Sequence, residues 1–342
     1  MLSGFAARFG SKLLLVAAAL SPFAAHAQTP VRFTLDWRFE GPAAPFTVAL
    51  DKGYFKAEGL DVTIDVGNGS REAIPRVASG TYQMGFGDVN SLVRFRDENP
   101  TSDVKAVLMV YDKPPFAIIG RKSRGISADP KSLLGKKFGA PVADGAYAQW
   151  PIFKTVNKLD DKDMKFENVG FPVREPMLAS GEVDAVFGFS MSSYINVKSR
   201  GVPDEDIVVM LMNDHGVELY GNVIMVNPAF AKEKPEAVEG FVRAIVKGLK
   251  DVVADPAASV DSVIKRNDVA KKDVELERLK MALEQNMLTP WVKANGWGGV
   301  DPARFDRSLD QIGLTFTYKA KPKSSDIFTD AYLPPASDRK VN

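Results

Sequence analysis

The residues best suited to chemistry in this chain are a few aromatic and carboxylate side chains next to glycines. Trp37, Phe39 and Glu40 stand together in LDWRFEG. Ser70 opens SREAIP, Asp88 and Asn90 lie in GFGDVN, and Asp144 lies in VADGA. Ser190 falls in GFSMS, and Glu218 and Tyr220 fall in VELYGN. Aromatic faces hold planar or cationic molecules. Carboxylates accept hydrogen bonds from ligand N–H groups. The set therefore points to capture of a small nitrogen heterocycle of the aminopyrimidine kind. A sulfonate or nitrate would instead need Arg, Ser, Thr and backbone N–H groups, and Arg38, Arg71 and Lys113 keep an anion open. Plainer readings stand beside these: Trp37 as a half-buried core residue, and Asp88 as a helix cap.

Covalent and metal chemistry find little to work with. The chain has no Cys and two His. His26 falls within an expected leader, so His215 is left alone. That argues against multi-His metal sites and His-based catalysis, and no GxSxG elbow occurs. No catalytic residue, metal or cofactor is expected. Gly67-x-Gly69 and Gly85-x-Gly87 are glycine pairs without a dinucleotide pattern.

The elements that must position these residues follow from periodicity. Val31, Phe33 and Leu35 alternate with Arg32, Thr34 and Asp36, as in a half-buried strand. Phe46, Ala49 and Leu50 share a helical face, and Val62, Ile64 and Val66 alternate again. Strand, helix and strand make a βαβ unit with parallel strands. Ligands of open α/β sheets sit at the carboxyl ends of such strands, where Asp36 to Glu40 fall here. Further strands are expected at 82–86, 104–111, 116–120, 136–141, 167–171, 183–187 and 207–212. Ser70 reads as a helix N-cap. The break at Asp112 to Pro115 and the stretch Val217 to Val226, with a bend at Gly221-Asn222, read as two crossings between lobes. Lobe one is then residues 28–112 plus 222–342, and lobe two is 113–221. Such a layout closes around a ligand by hinge bending. Val238, Phe241, Val242, Ile245 and Leu249 mark a long helix. Trp291 and Trp297 read as packing in a loop, and 320–342 reads as a surface tail.

The chain has 342 residues, 45% of them hydrophobic, with 44 basic and 43 acidic side chains. Nothing in that balance draws it to nucleic acid or anionic membrane. Arg8 and Lys12 precede an apolar run from Leu13 to Leu20, then Ala25-His26-Ala27. This is the pattern of a signal peptide over 1–27, cleaved after Ala27. The apolar run is too short to span a bilayer. Without Cys the exported chain must rely on its core. A free, monomeric periplasmic protein is expected.

Several phrases carry a family likeness: LDW, ALDKGYFKAEGLDV, RVASGTYQMGFGD, LLGKKFGAP and ASGEVDAVFG. Over roughly residues 31 to 260, the chain resembles periplasmic solute-binding proteins for thiamine-pyrimidine precursors, nitrate, taurine and aliphatic sulfonates. The same family includes the thiamine pyrimidine synthases. The resemblance implies a two-lobe, type II periplasmic-binding-protein fold, with two open, mostly parallel sheets joined by a two-crossing hinge. It implies a substrate-binding component that serves an ABC transporter permease and its ATPase. The synthase branch implies an enzyme that consumes its own histidine and a lysine-bound pyridoxal phosphate. That branch carries a His after the first strand's Trp, a Lys in a Ser-Gly-Lys step and a Cys-rich run. Here the loop is RFEGPAAPF, the step is Ser79-Gly80-Thr81 and the run is HGVELYGN. All three reacting elements are missing. A sensory domain on the same scaffold is a further alternative.

Overall fold

The computed structural model describes residues 27–341, so the expected leader, apart from Ala27, lies outside the described residues. Ten strands form two five-stranded sheets. In chain order they are β1 (Thr29–Thr34), β2 (Leu60–Asp65), β3 (Met84–Asp88), β4 (Lys105–Met109), β5 (Phe116–Arg121), β6 (Lys137–Gly139), β7 (Lys165–Glu167), β8 (Ala185–Phe189), β9 (Ile207–Leu211) and β10 (Asn222–Val226). The first sheet runs β2-β1-β3-β10-β4 and the second β7-β6-β8-β5-β9.

Each sheet is parallel except for one strand. β10 lies antiparallel between β3 and β4, and β5 lies antiparallel between β8 and β9. Those two strands are the ones that follow the crossings. A chain that leaves one lobe over a short link enters the next sheet running the other way. The amino ends of β5 and β10 therefore meet the carboxyl ends of the parallel strands, which concentrates polar strand ends on one edge of each sheet.

The pattern of β1 puts Val31 and Phe33 into the core, in register with Val62 and Ile64 of β2. Phe33 packs against Phe46 and Phe241, with ring centroids 5.3 and 5.1 Å apart. Phe241 belongs to the helix Pro235–Ala254, whose apolar stripe covers that face of the first sheet. Gly85 in β3 has a steric cause: a Cβ there would meet Val77 Cγ2 at 2.6 Å. The helix Ser70–Ala78 can press onto the sheet only because that position is bare. The second sheet is centred on Phe138, which stacks on Phe166 at 5.2 Å and meets Phe187 at 5.5 Å.

Four expectations need correction. The third strand starts at Met84 rather than Tyr82, because Tyr82 lies under the Arg32 guanidinium, 4.5 Å from its ring centroid. The strand expected at 167–171 is Lys165–Glu167, and Phe171 opens a helix, Phe171–Ser180. Trp291 lies in a helix, Pro290–Asn295, rather than in a loop, whereas Trp297 beyond it is buried packing as expected. The residues after 320 are docked rather than a free tail. Ile327 and Phe328 are buried, Phe328 bridges to Ala106, and Thr329 N donates to the Ala106 carbonyl. The segment covers the outer edge of β4, which would otherwise expose unpaired backbone groups. Its polar composition hid two short apolar anchors.

Burial of a ring of this size makes a direct prediction. Phe328→Ala should lower unfolding stability by about 3 kcal/mol, read from urea denaturation, whereas a free tail would give no change.

Candidate functional site

The carboxyl ends of both sheets face one another across a cleft, and β1 supplies its floor. Leu35 N continues the ladder to the Asp65 carbonyl, which fixes the direction of the next two side chains. Asp36 then turns inward and is buried. Its Oδ2 accepts from Ser70 Oγ at 2.9 Å and from Asn222 Nδ2 at 2.7 Å. No cation pairs with it among the described residues. Burial pushes its carboxyl up from 3.8 to about 7; the Ser70 and Asn222 bonds oppose that, and Asp88 adds to it.

Trp37 comes next and is half-buried. Its ring meets Phe171 of the second lobe edge-on, centroids 4.7 Å apart at 64°. Trp37 Nε1 donates to Glu40 Oε1 at 3.1 Å. The other oxygen of Glu40 accepts from Ser192 Oγ at 2.7 Å and pairs with Arg278 Nη1 at 3.2 Å. The first strand's loop is thereby fastened to the second lobe. Gly69 also touches that lobe: its φ is +103°, and a Cβ there would lie 2.6 Å from the Ala143 carbonyl oxygen.

The opposite wall is Asp144, Gly145, Phe171, Arg174, Phe189 and Ser192. Asp144 accepts from the backbone N–H of Ala146 and Tyr147 at 2.8 and 3.0 Å. Its Oδ2 also takes Arg174 Nη1 at 2.9 Å. Arg174 is buried and gives its remaining donors to Glu175 Oε1 at 2.9 and 2.6 Å. Burial raises the Asp144 carboxyl although Arg174 pulls it down. Burial works against the Arg174 charge, but Glu175 and Asp144 outweigh it and hold the guanidinium protonated. Two adjoining compartments of about 340 and 370 Å³ share Asp36, Trp37, Phe189 and Ser192. Those volumes include open solvent; the space a water molecule can occupy is about 30 and 40 Å³, so the cleft is nearly shut in this arrangement.

Of the residues singled out from sequence, Trp37, Glu40, Ser70 and Asp144 come together on these walls. Ser70 is the first helical residue rather than the cap, which frees its hydroxyl for Asp36. The others lie elsewhere. Phe39 packs against the first lobe's core, and its carbonyl accepts from Asn267. Asp88 caps the helix Val89–Glu98, accepting from Asn90 N and Ser91 N at 3.0 and 2.8 Å. Asn90 donates to Asp88 and to the Tyr220 carbonyl. Ser190 is buried and bonds Gln285 at 2.9 Å. Glu218 is exposed outside the cleft. Tyr220 is buried at the hinge, with the Arg304 guanidinium 3.9 Å from its ring centroid. Arg304 also reaches Asp112 and the Leu219 carbonyl, so it ties the two crossings together. The crossing residues serve the hinge because a C-terminal helix, Pro302–Gly313, packs on them.

Sequence reasoning placed Asp36 at the ligand end of β1 without singling it out, and passed over Phe171, Arg174, Phe189 and Ser192. Asp36 carried a signal, since it ends the polar face of β1. Arg174 and Glu175, two adjacent charges in FPVREPMLAS, carried none.

Two α/β lobes that close on a cleft at their strand ends define the periplasmic-binding-protein fold. The chain belongs to the NMT1/THI5-like family, whose model matches residues 42–259. It is 24% identical over 308 residues to the 4-amino-5-hydroxymethyl-2-methylpyrimidine phosphate synthase of Aspergillus parasiticus, covering 85% of this chain and 89% of that one. It is 27% identical over 293 residues to the formylaminopyrimidine-binding protein of Halalkalibacterium halodurans, covering 82% and 84%. Its fold is similar to that of the alkanesulfonate-binding protein SsuA from Xanthomonas axonopodis pv. citri. That likeness has a TM-score of 0.67 and 12% identity, over 90% of this chain and 99% of that one.

The pKa of Asp36 gives a signed prediction. An acid raised on folding binds more protons folded than unfolded, so it favours the native state most at low pH. Its contribution should weaken as pH rises from the unfolded value of 3.8 through about 7. Asp88 and Asp144 are raised too and act with the same sign. Asp36→Asn should flatten the decline of unfolding free energy across that window, measured by urea melts at stepped pH. An unchanged slope would show that Asp36 titrates normally.

Proposed function

We propose that the chain is the exported substrate-binding component of an ABC-type import system. Residues 28–112 and 222–342 would form one lobe and 113–221 the other. A monomer would capture a small, planar, neutral or cationic nitrogen heterocycle between them, leave it chemically unaltered and deliver it to a permease with its ATPase. The bacterial relative named for binding a formylaminopyrimidine supports this reading.

One observation carries the ligand class, the charge of the cleft walls. Asp36 and Asp144 are both carboxylates on the lining, and the guanidinium there, Arg174, is already committed to Asp144 and Glu175. A sulfonate or nitrate would face Asp36 and Asp144, with the exposed Arg38 of the second compartment, 5.5 Å from the Trp37 ring centroid, as the cation outside any ion pair among the described residues, and like-charge contact with the two carboxylates disfavours it. A ring bearing N–H donors meets the opposite situation. It can stack on Trp37 and Phe171 and donate to Asp36, whose own partners are neutral. Ser70, Glu40 and Ser192 would orient the ring edge.

The synthase reading has less support. Thr81 stands where a reacting lysine would be expected and bonds Ser79 Oγ at 2.9 Å. His215 lies beside Phe153 in the second lobe, centroids 6.1 Å apart.

Thermal shift of the purified mature protein should show a concentration-dependent rise in melting temperature with aminopyrimidines and none with taurine or alkanesulfonates. The reverse ranking would overturn the ligand class. Trp37→Ala should cost the best ligand at least about 2 kcal/mol of affinity by titration calorimetry, and an unchanged Kd would remove Trp37 from the site.

A further inference from the structure

A second opening lies between the lobes, on a different flank from the Glu40–Ser192 contact. Arg71, Ser91 and Arg94 line it from the first lobe, Ala148 and Pro151 from the second, and Phe316 from the C-terminal region. It shares no lining residue with the cleft compartments. Water can occupy about 320 Å³ of it, against about 30 and 40 Å³ in the two cleft compartments. The groove is therefore open in a conformation where the cleft is nearly shut.

Its charge is unbalanced. Arg174, Arg278 and Arg304 each pair with carboxylates. Arg71 and Arg94 form no ion pair among the described residues. Arg71 Nη1 donates to the Val142 carbonyl at 3.0 Å. Arg94 donates to the Ala148 carbonyl and to Gln149 Oε1, at 2.8 and 3.0 Å. Those acceptors are neutral, and both guanidiniums keep further N–H groups. Burial lowers the Arg94 pKa; Asp88, Tyr318 and Glu98 pull the other way, and the neighbouring Arg71 charge adds to the lowering. Two guanidiniums on one groove lining, Arg94 half-buried and Arg71 exposed, are an arrangement that an oxyanion relieves. Ser91 also lines the groove, but its hydroxyl donates to Asp88 Oδ2 at 2.6 Å, so the arginines are the donors there, and Glu98 is the one carboxylate of the lining.

We propose that this groove is an oxyanion site, taking a phosphate, sulfate or carboxylate group between Arg71 and Arg94. It would act across the hinge. The groove has walls from both lobes, so an anion there favours their closed arrangement. Gln149 connects it to the cleft. Its Oε1 accepts from Arg94, and its Nε2 donates to the Gly145 carbonyl on the cleft wall at 3.1 Å. The proposal does not depend on what the cleft binds.

The test is a titration of the mature protein with inorganic phosphate, sulfate or citrate in place of chloride at constant ionic strength, with melting temperature as readout. A saturable rise is expected with at least one of the three. Arg94→Gln should raise the half-saturating concentration about tenfold, and Arg71→Gln should weaken binding as well. The proposal is overturned if no anion exceeds chloride, or if the Arg71→Gln/Arg94→Gln double variant responds like the wild type. Should the double variant fail to fold, Arg71→Gln decides alone, because Arg71 is exposed. Equal half-saturation in that variant and the wild type then sinks the idea.

Discussion

The cleft depends on a carboxylate buried without a cation. Asp36 lies at the end of β1 and is held by a serine hydroxyl and an asparagine amide. Taking a carboxylate out of water is costly unless it is paired or neutralised, and neutral donors recover only part of that cost. The rest shows as a proton affinity near neutrality. Three segments must converge to supply even those donors: the end of β1, the first turn of the helix Ser70–Ala78 and the start of β10. Asn222 can reach Asp36 only because β10 runs antiparallel to β3, so the reversed strand and the buried acid belong to one arrangement. Across the cleft the same problem is solved differently. Asp144 is met by Arg174 and by two backbone N–H groups. One wall therefore has a satisfied ion cluster and the other a carboxyl still short of donors. That asymmetry leaves the two walls with different hydrogen-bonding capacity.

Legibility followed sequence distance. The βαβ opening, the strand ends and the two crossings were readable because their signals are local: alternation, a helical stripe, a glycine or proline break. Trp37 and Glu40 were readable for the same reason, since three residues separate them and one strand end positions both. Asp36 stood in the same phrase, but its partner Asn222 is 186 residues away, and nothing in either neighbourhood announces the other. Arg174 and Glu175 were hidden by type. In FPVREPMLAS two adjacent charges look solvated, and only the helix start at Phe171 turns them inward. Tyr220 and Glu218 were drawn toward the cleft by their place beside the second crossing. A helix about 80 residues later, whose Asp301 N donates to the Tyr220 hydroxyl at 2.9 Å, claims the tyrosine for the hinge. The docked end of the chain failed for a related reason, because a polar stretch with two apolar anchors has no periodicity to read.

Glu40 would join the proposed ligand platform to closure. One of its oxygens orients the Trp37 indole, and the other reaches Ser192 and Arg278. Arg278 in turn donates to the Met191 and Ser192 carbonyls and pairs with Glu275, whose Oε2 accepts from Gly41 N at 2.6 Å. The helix Lys272–Ala282 thus holds the Trp37 loop from one side and the second lobe from the other. Were the lobes to part, Glu40 would lose Ser192 but keep Arg278, so the tryptophan's polar tether would have one anchor fewer. Affinity and closure are then a single equilibrium. A molecule that stacks on Trp37 stabilises the tether, and the tether stabilises the contact between lobes. The stacking face cannot be optimised independently of the latch. A substitution at Glu40 would loosen the platform and the closed state together, although Glu40 accepts only from protein donors in the present arrangement.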